Sequence, residues 1–170
     1  MKKLLCSFMI LALSLSFSAC SSPKDKIQEP VFFYYRQLEL NYGTTPSVVD
    51  KEAREAAGHR QDYSYLLSVY LKGPENFSLY NPFPSKTFLR SFVLQDSTAF
   101  VQLSSSFASL TGLDLTLACA CITLTVCEMT GAQQVNISAE DTLLDGNPQI
   151  TMTPDSFLMM DDSNIVIRPE

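Results

Sequence analysis

The order of periodicities along this sequence predicts an α/β chain of the two-layer α+β kind, a small mixed β-sheet with two main helices packed on one face. Three observations carry that reading. Val31-Phe32-Phe33-Tyr34-Tyr35-Arg36 is a dense aromatic and β-branched run; Asp62 to Lys72 and Leu113 to Met129 place apolar residues at helical spacing; and Thr87 to Leu94 and Ala99 to Leu103 are β-type runs flanking a short polar break. The resulting order is strand, helix, hairpin, helix, strand.

The segment before the first strand is a leader. Met1 is followed by Lys2 and Lys3, then by Leu4 to Phe17, apolar apart from small serines, then by Ser18-Ala19-Cys20. A charged start, an apolar run short of the roughly 18 to 20 residues of a bilayer span, and small residues before a cysteine make a signal peptide with a lipobox. Phe17 stands where Leu is usual. Residues 1–19 are expected to be removed and Cys20 to be acylated as the new N-terminus, anchoring the protein to the extracytoplasmic face of the cell membrane. Residues 20–30, polar and carrying Pro23 and Pro30, are expected to be a flexible tether to a domain over 31–170.

Within that domain the unbroken apolarity of Val31 to Tyr35 predicts a central strand buried on both faces. Gly43-Thr44-Thr45-Pro46 turns the chain. Val48 to Glu55 is ambiguous, although helical by composition. Tyr63, Leu66, Leu67, Tyr70 and Leu71 recur at helical spacing, and Gly73-Pro74 stops the run. Asn81 to Ser85 makes a Pro-containing loop. Asp96-Ser97 joins the two hairpin strands.

At about 100° per residue, the second helix carries Thr116, Thr123 and Thr130 on one polar line and Asp114, Thr125 and Glu128 on another nearly opposite. Both apolar flanks between those lines require burial. The expected setting is between a sheet and the other helix, not a bilayer, because the polar residues shorten the apolar stretch below a span. Val135-Asn136-Ile137 is the next strand, Asp145 to Pro148 a turn, and Ile150 to Ile167 is expected to end in a hairpin.

Composition narrows the function. The formal charge is −6 with a pI near 4.7, and no Lys/Arg cluster lies outside the leader, so no nucleic-acid partner is expected. Attachment to membrane is assigned to the lipid and not to charge. Cys119, Cys121 and Cys127 are odd in number and poorly placed for bridging along a helix, so buried free thiols are expected. They have no nearby histidine or C-x-x-C pair, so neither a metal site nor a cofactor is expected.

The succession of elements resembles the GerMN domain family of sporulation and spore germination proteins. The residues that carry the resemblance are Leu71-Lys72-Gly73-Pro74, the run Phe100-Val101-Gln102-Leu103-Ser104-Ser105-Ser106-Phe107, and Leu124-Thr125-Val126-Cys127-Glu128-Met129-Thr130-Gly131 before the Val135-Asn136-Ile137 strand. The resemblance covers roughly Val31 to Phe157. Thr130 departs from a position where the family often has Pro, and cysteines are few in the family's second helix. The resemblance implies a short extended segment over Val48 to Glu55 and a membrane-tethered extracytoplasmic module that makes contacts within a larger assembly, with no catalytic residues to carry over.

The side chains agree with that expectation. His59 is the single histidine, in a polar loop, so a Ser-His-acid set would hang on one side chain. Ser104-Ser105-Ser106 follow a strand and are expected to cap or shape the turn. Asp141, Asp145, Asp155, Asp161 and Asp162 lack the spacing of a calcium loop. A protein partner or self-association is expected, through an apolar flank of the second helix or, if the first helix covers that flank, through an edge strand. The alternative is a small-ligand or peptidoglycan-binding lipoprotein with a groove lined by Tyr34, Tyr35, Tyr63, Tyr65, Tyr70 and Tyr80, and a hydrolase comes last.

Overall fold

The computed structural model describes residues 29–38 and 48–156. In chain order the strands are β1 (Pro30–Gln37), β2 (Val49–Glu55), β3 (Leu79–Tyr80), β4 (Leu89–Gln95), β5 (Thr98–Leu103), β6 (Gln134–Ala139) and β7 (Ile150–Met152). Among the described residues two α-helices are interleaved, α1 (Tyr63–Tyr70) and α2 (Gly112–Thr130), with short 3-10 turns at Ser105–Ser109 and Pro154–Ser156. The mixed α+β class holds. The strands divide between two sheets, in the orders β2-β1-β3 and β4-β5-β6-β7. Which apolar runs share a sheet depends on non-local pairing, to which local periodicity is blind.

β2, left open by its composition, is a strand antiparallel to β1, from Pro30 opposite Glu55 to Arg36 opposite Val49. β1 is the central strand of its sheet but is buried on one face: Val31, Phe33 and Tyr35 are buried, while Phe32, Tyr34 and Arg36 are half-buried. On that second face Lys51 Nζ lies over the Phe32 ring at 4.4 Å and the Tyr34 ring at 5.4 Å. A charged side chain lying over aromatic rings covers them without excluding water fully.

α1 begins where Asp62 Oδ1 accepts from the Tyr65 N–H at 3.0 Å. Leu66, Leu67 and Tyr70 form its buried face. A reciprocal pair locks it to β1: Tyr35 donates its hydroxyl to the Tyr70 carbonyl at 2.7 Å, and Tyr70 donates to the Tyr34 carbonyl at 2.9 Å. Burial raises the pKa of both phenols. Both therefore remain protonated donors at neutral pH.

β4 and β5 form the expected hairpin, with Gln95 opposite Thr98 and Asp96 in the left-handed region at φ +54. β5 and β6 pair in parallel, so the chain must cross over between them, and α2 is that crossover. α2 ends at Gly131, whose left-handed φ of +77 lets its N–H reach the Cys127 carbonyl at 2.9 Å. Every residue from Ala118 to Thr123 is buried. The helix borders β1 on one side and β6 and β7 on the other, so its two flanks are covered by two sheets and not by a sheet and α1. α2 is long and apolar enough to cross a membrane by length and composition, but it serves here as a core helix.

One core runs through the fold. Phe33, Tyr35, Leu67 and Tyr70 join Val101, Leu103, Phe107, Ile122, Val126 and Ile137 in a single buried cluster. β7 forms within the Ile150 to Pro154 run; the expected final hairpin, from Phe157 onward to Ile167, lies outside the described residues.

Candidate functional site

Cys20, the residue expected to be acylated, lies outside the described residues, as does the tether up to Gln28. β1 starts at Pro30, the last residue of the expected tether.

The polar line Asp114, Thr125 and Glu128 is the seam between α2 and the three-stranded sheet. Arg36 donates to Asp114 Oδ1 at 3.1 Å, the Tyr34 N–H donates to Thr125 Oγ1 at 2.9 Å, and Glu128 accepts from the Tyr34 hydroxyl and from Lys51 Nζ at 3.2 Å. A threonine hydroxyl thus takes the place of a strand carbonyl on the edge of β1 that faces away from β2. On the opposite line, Thr116 and Thr130 donate back to the carbonyls of Gly112 and Val126, at 3.0 and 2.7 Å. Thr123, fully buried, has an Oγ1 without a hydrogen-bond partner.

His59 stacks on Tyr65 with ring centres 4.0 Å apart, and its Nδ1 is 3.9 Å from Asp62 Oδ2. His59, Asp62 and Ser64 line one open cleft of about 490 Å³. Among the described residues the Asp62 carboxylate accepts one hydrogen bond, from the Tyr65 N–H that it caps, and none joins His59 to a serine. Of the serine run, Ser104 shapes a turn: its Oγ donates to the Lys86 carbonyl and accepts from the Phe88 N–H, both at 3.1 Å.

The helix thiols are free. Cys119 and Cys121 are buried, and burial pushes each thiol up to about 12 from an ordinary 9.0. Cys127 is only half-buried, because it lies on the side of α2 near its C-terminal end, beyond the fully covered turns. Among the described residues no three His, Cys, Asp or Glu side chains stand close enough to hold a metal ion. The tyrosines do not form one groove: Tyr35 and Tyr70 are core, whereas Tyr65 and Tyr80 are exposed at 42 and 52 %.

Two surface features come into view with the fold. The first is the outer edge of β4, where Arg90, Ser91, Val93, Leu94 and Gln95 are exposed and Val93 stands opposite an exposed Phe100 on β5. The second is a cleft of about 600 Å³ between the end of α1 and the loop before β4, lined in part by Ser68, Lys72, Ser85, Lys86 and Thr87. Residues so far apart in the chain meet only through the fold.

The family model Germane, described as sporulation and spore germination, matches residues 31–145. The chain belongs to the Germane family. No curated protein matches it by sequence. In structure it is similar to the tandem GerMN domains of the sporulation protein GerM from Bacillus subtilis, with a TM-score of 0.55, 14 % identity, 80 % of this chain and 49 % of that one covered. This chain therefore spans about half of that tandem structure. Lower similarity, TM-scores of 0.47 and 0.46 at 16 % identity, links it to a candidate lipoprotein from Clostridium perfringens and to the first GerMN domain of the same GerM; these cover 78 and 71 % of this chain and 93 and 92 % of those. The GerMN-type fold expected from the sequence is thus the Germane fold found here.

Proposed function

We propose that this Germane chain is a lipoprotein, acylated at Cys20, whose domain docks a protein partner or a second copy of itself in a sporulation, germination or envelope assembly, without turning over a substrate. The observation that carries the docking reading is the outer edge of β4. β4 ends its sheet, so alternate backbone N–H and C=O groups along it point away from β5, and the exposed Val93, Leu94 and Phe100 lie beside them. An open strand edge with apolar side chains beside it suits strand addition by a neighbour. The flanks of α2 offer no comparable surface, being covered through the Ala118 to Thr123 turns.

The lipobox supports the anchor, and a short polar tether would hold the domain close to the bilayer. Photoreactive residues placed at Val93 and Leu94 in cells making the full chain should capture a protein, and Cys20→Ala should abolish fatty-acid labelling and leave the precursor uncleaved. A hydrolytic activity lost on His59→Ala, together with no capture from β4, would overturn the reading.

A further inference from the structure

Seven Lys or Arg side chains fall among the described residues. Five have partners: Arg36 with Asp114, Lys51 with Glu128, Arg54 with Glu52 and Glu75, Arg90 with Glu140, and Arg60 with the Pro30 carbonyl. Lys72 and Lys86 have none, and both line the 600 Å³ cleft, which has no acidic residue in its lining. In a chain of net charge −6, the two cations without a partner among the described residues line one cleft.

The rest of the cleft fits the same chemistry. Asn81 uses its Oδ1 to accept from the Phe83 N–H at 3.1 Å, leaving its amide donors free, and Ser85 adds a hydroxyl. Thr87, only 9 % exposed, has an Oγ1 with no hydrogen-bond partner, an exception among buried polar groups that calls for a cause. The carbonyls of Leu67, Val69 and Tyr70 at the end of α1 already accept hydrogen bonds, which blunts the negative end of that helix. Lys86 is held in the left-handed region at φ +70, with Ser104 bridging its carbonyl and the Phe88 N–H, so the loop is fixed before any ligand arrives.

We propose that this cleft binds a small ligand through an oxyanion, a carboxylate or a phosphate, held between Lys72 and Lys86. Its volume falls in the range of small-molecule sites, and Leu71, Pro84 and Phe88 give an apolar wall for the body of a short peptide or similar group. Thr87 lines the cleft and its hydroxyl is without a partner, so the ligand would supply the missing bond. The inference is independent of docking at β4.

Titration calorimetry on the full chain in detergent tests it, with N-acetyl-D-alanyl-D-alanine, its C-terminal amide and inorganic phosphate as probes. The free acid or phosphate should bind, and which of them does names the source of the oxyanion. The amide should bind at least tenfold more weakly than the acid. The Lys72→Gln, Lys86→Gln double variant should weaken binding about tenfold or more, while Arg60→Gln, remote from the cleft, should not. Thr87→Val keeps the shape of a side chain that makes no bond in the unliganded fold, so it should fold normally and still weaken binding; unchanged binding would mean that Thr87 is structural only and would remove it from the site. Binding by neither anion, or binding unaffected by the double variant, overturns the proposal. Cross-links from β4 should be the same in the lysine variant as in the parent, which keeps the two readings separable.

Discussion

Two threonines two residues apart on α2 should respond in opposite directions to the same isosteric substitution. Thr125 Oγ1 is the acceptor for the Tyr34 N–H on an edge of β1 that has no strand beside it there, at 2.9 Å. Thr125→Val leaves that N–H without an acceptor beneath a buried helix, a loss of about 1 to 3 kcal/mol. Thr123 is fully buried and its hydroxyl bonds to nothing, so Thr123→Val exchanges an unsatisfied polar atom for a methyl and should stabilise by about 1 kcal/mol. Helix propensity hardly distinguishes Thr from Val, so it cancels. The two variants should therefore differ by about 2 to 4 kcal/mol, which in a domain of this size is a spread of roughly 10 °C in Tm. Urea and thermal unfolding of both variants against the parent would read it directly. Equal destabilisation by both, or a neutral Thr125→Val, would refute the role given to the seam.

Removing the Glu52 carboxylate should loosen the loop after α1. That carboxylate accepts from Arg54 Nε at 2.7 Å and from the N–H groups of Glu75 and Asn76, and Arg54 also holds the Gly73 carbonyl at 2.8 Å, so Glu52→Ala should cost about 3 kcal/mol and open residues 73–78 to proteolysis. Stability should also fall in alkali. The Cys119 and Cys121 thiols lie at about 12 in the fold against 9.0 ordinarily, so the unfolded chain releases their protons first. The stability is intact below pH 9 and is lost between about 9 and 12, by up to about 1.4 kcal/mol per pH unit and thiol. Urea midpoints across that range should drop with a slope that the double Cys→Ala variant reduces, and a flat profile would contradict the burial.

The polar line Asp114, Thr125 and Glu128 was legible in the sequence because a helix fixes which residues share a face, and all three meet the β1–β2 side of the fold. The turn at Asp96 was legible locally as well, as a short polar break between two β-type runs. β2 was not, because Asp50 to Glu55 is made of helix-favouring residues and its inward position is Glu52, a carboxylate satisfied by Arg54 and by loop N–H groups. Tertiary hydrogen bonds there outweigh propensity. The division into two sheets and the meeting of Lys72 with Lys86 escape any reading by period, since both arise from contacts between distant segments.

The most direct test of the central claim is a photo-cross-linking scan in cells making the full chain, with the probe at Val93 on the β4 edge, at Asn136 on β6 away from that edge, and at Val93 again in a Cys20→Ala background. The account predicts a discrete adduct at Val93, little at Asn136, and loss of the Val93 adduct when the lipid anchor is removed. Equal capture from Val93 and Asn136, or a Val93 adduct indifferent to Cys20, would contradict it.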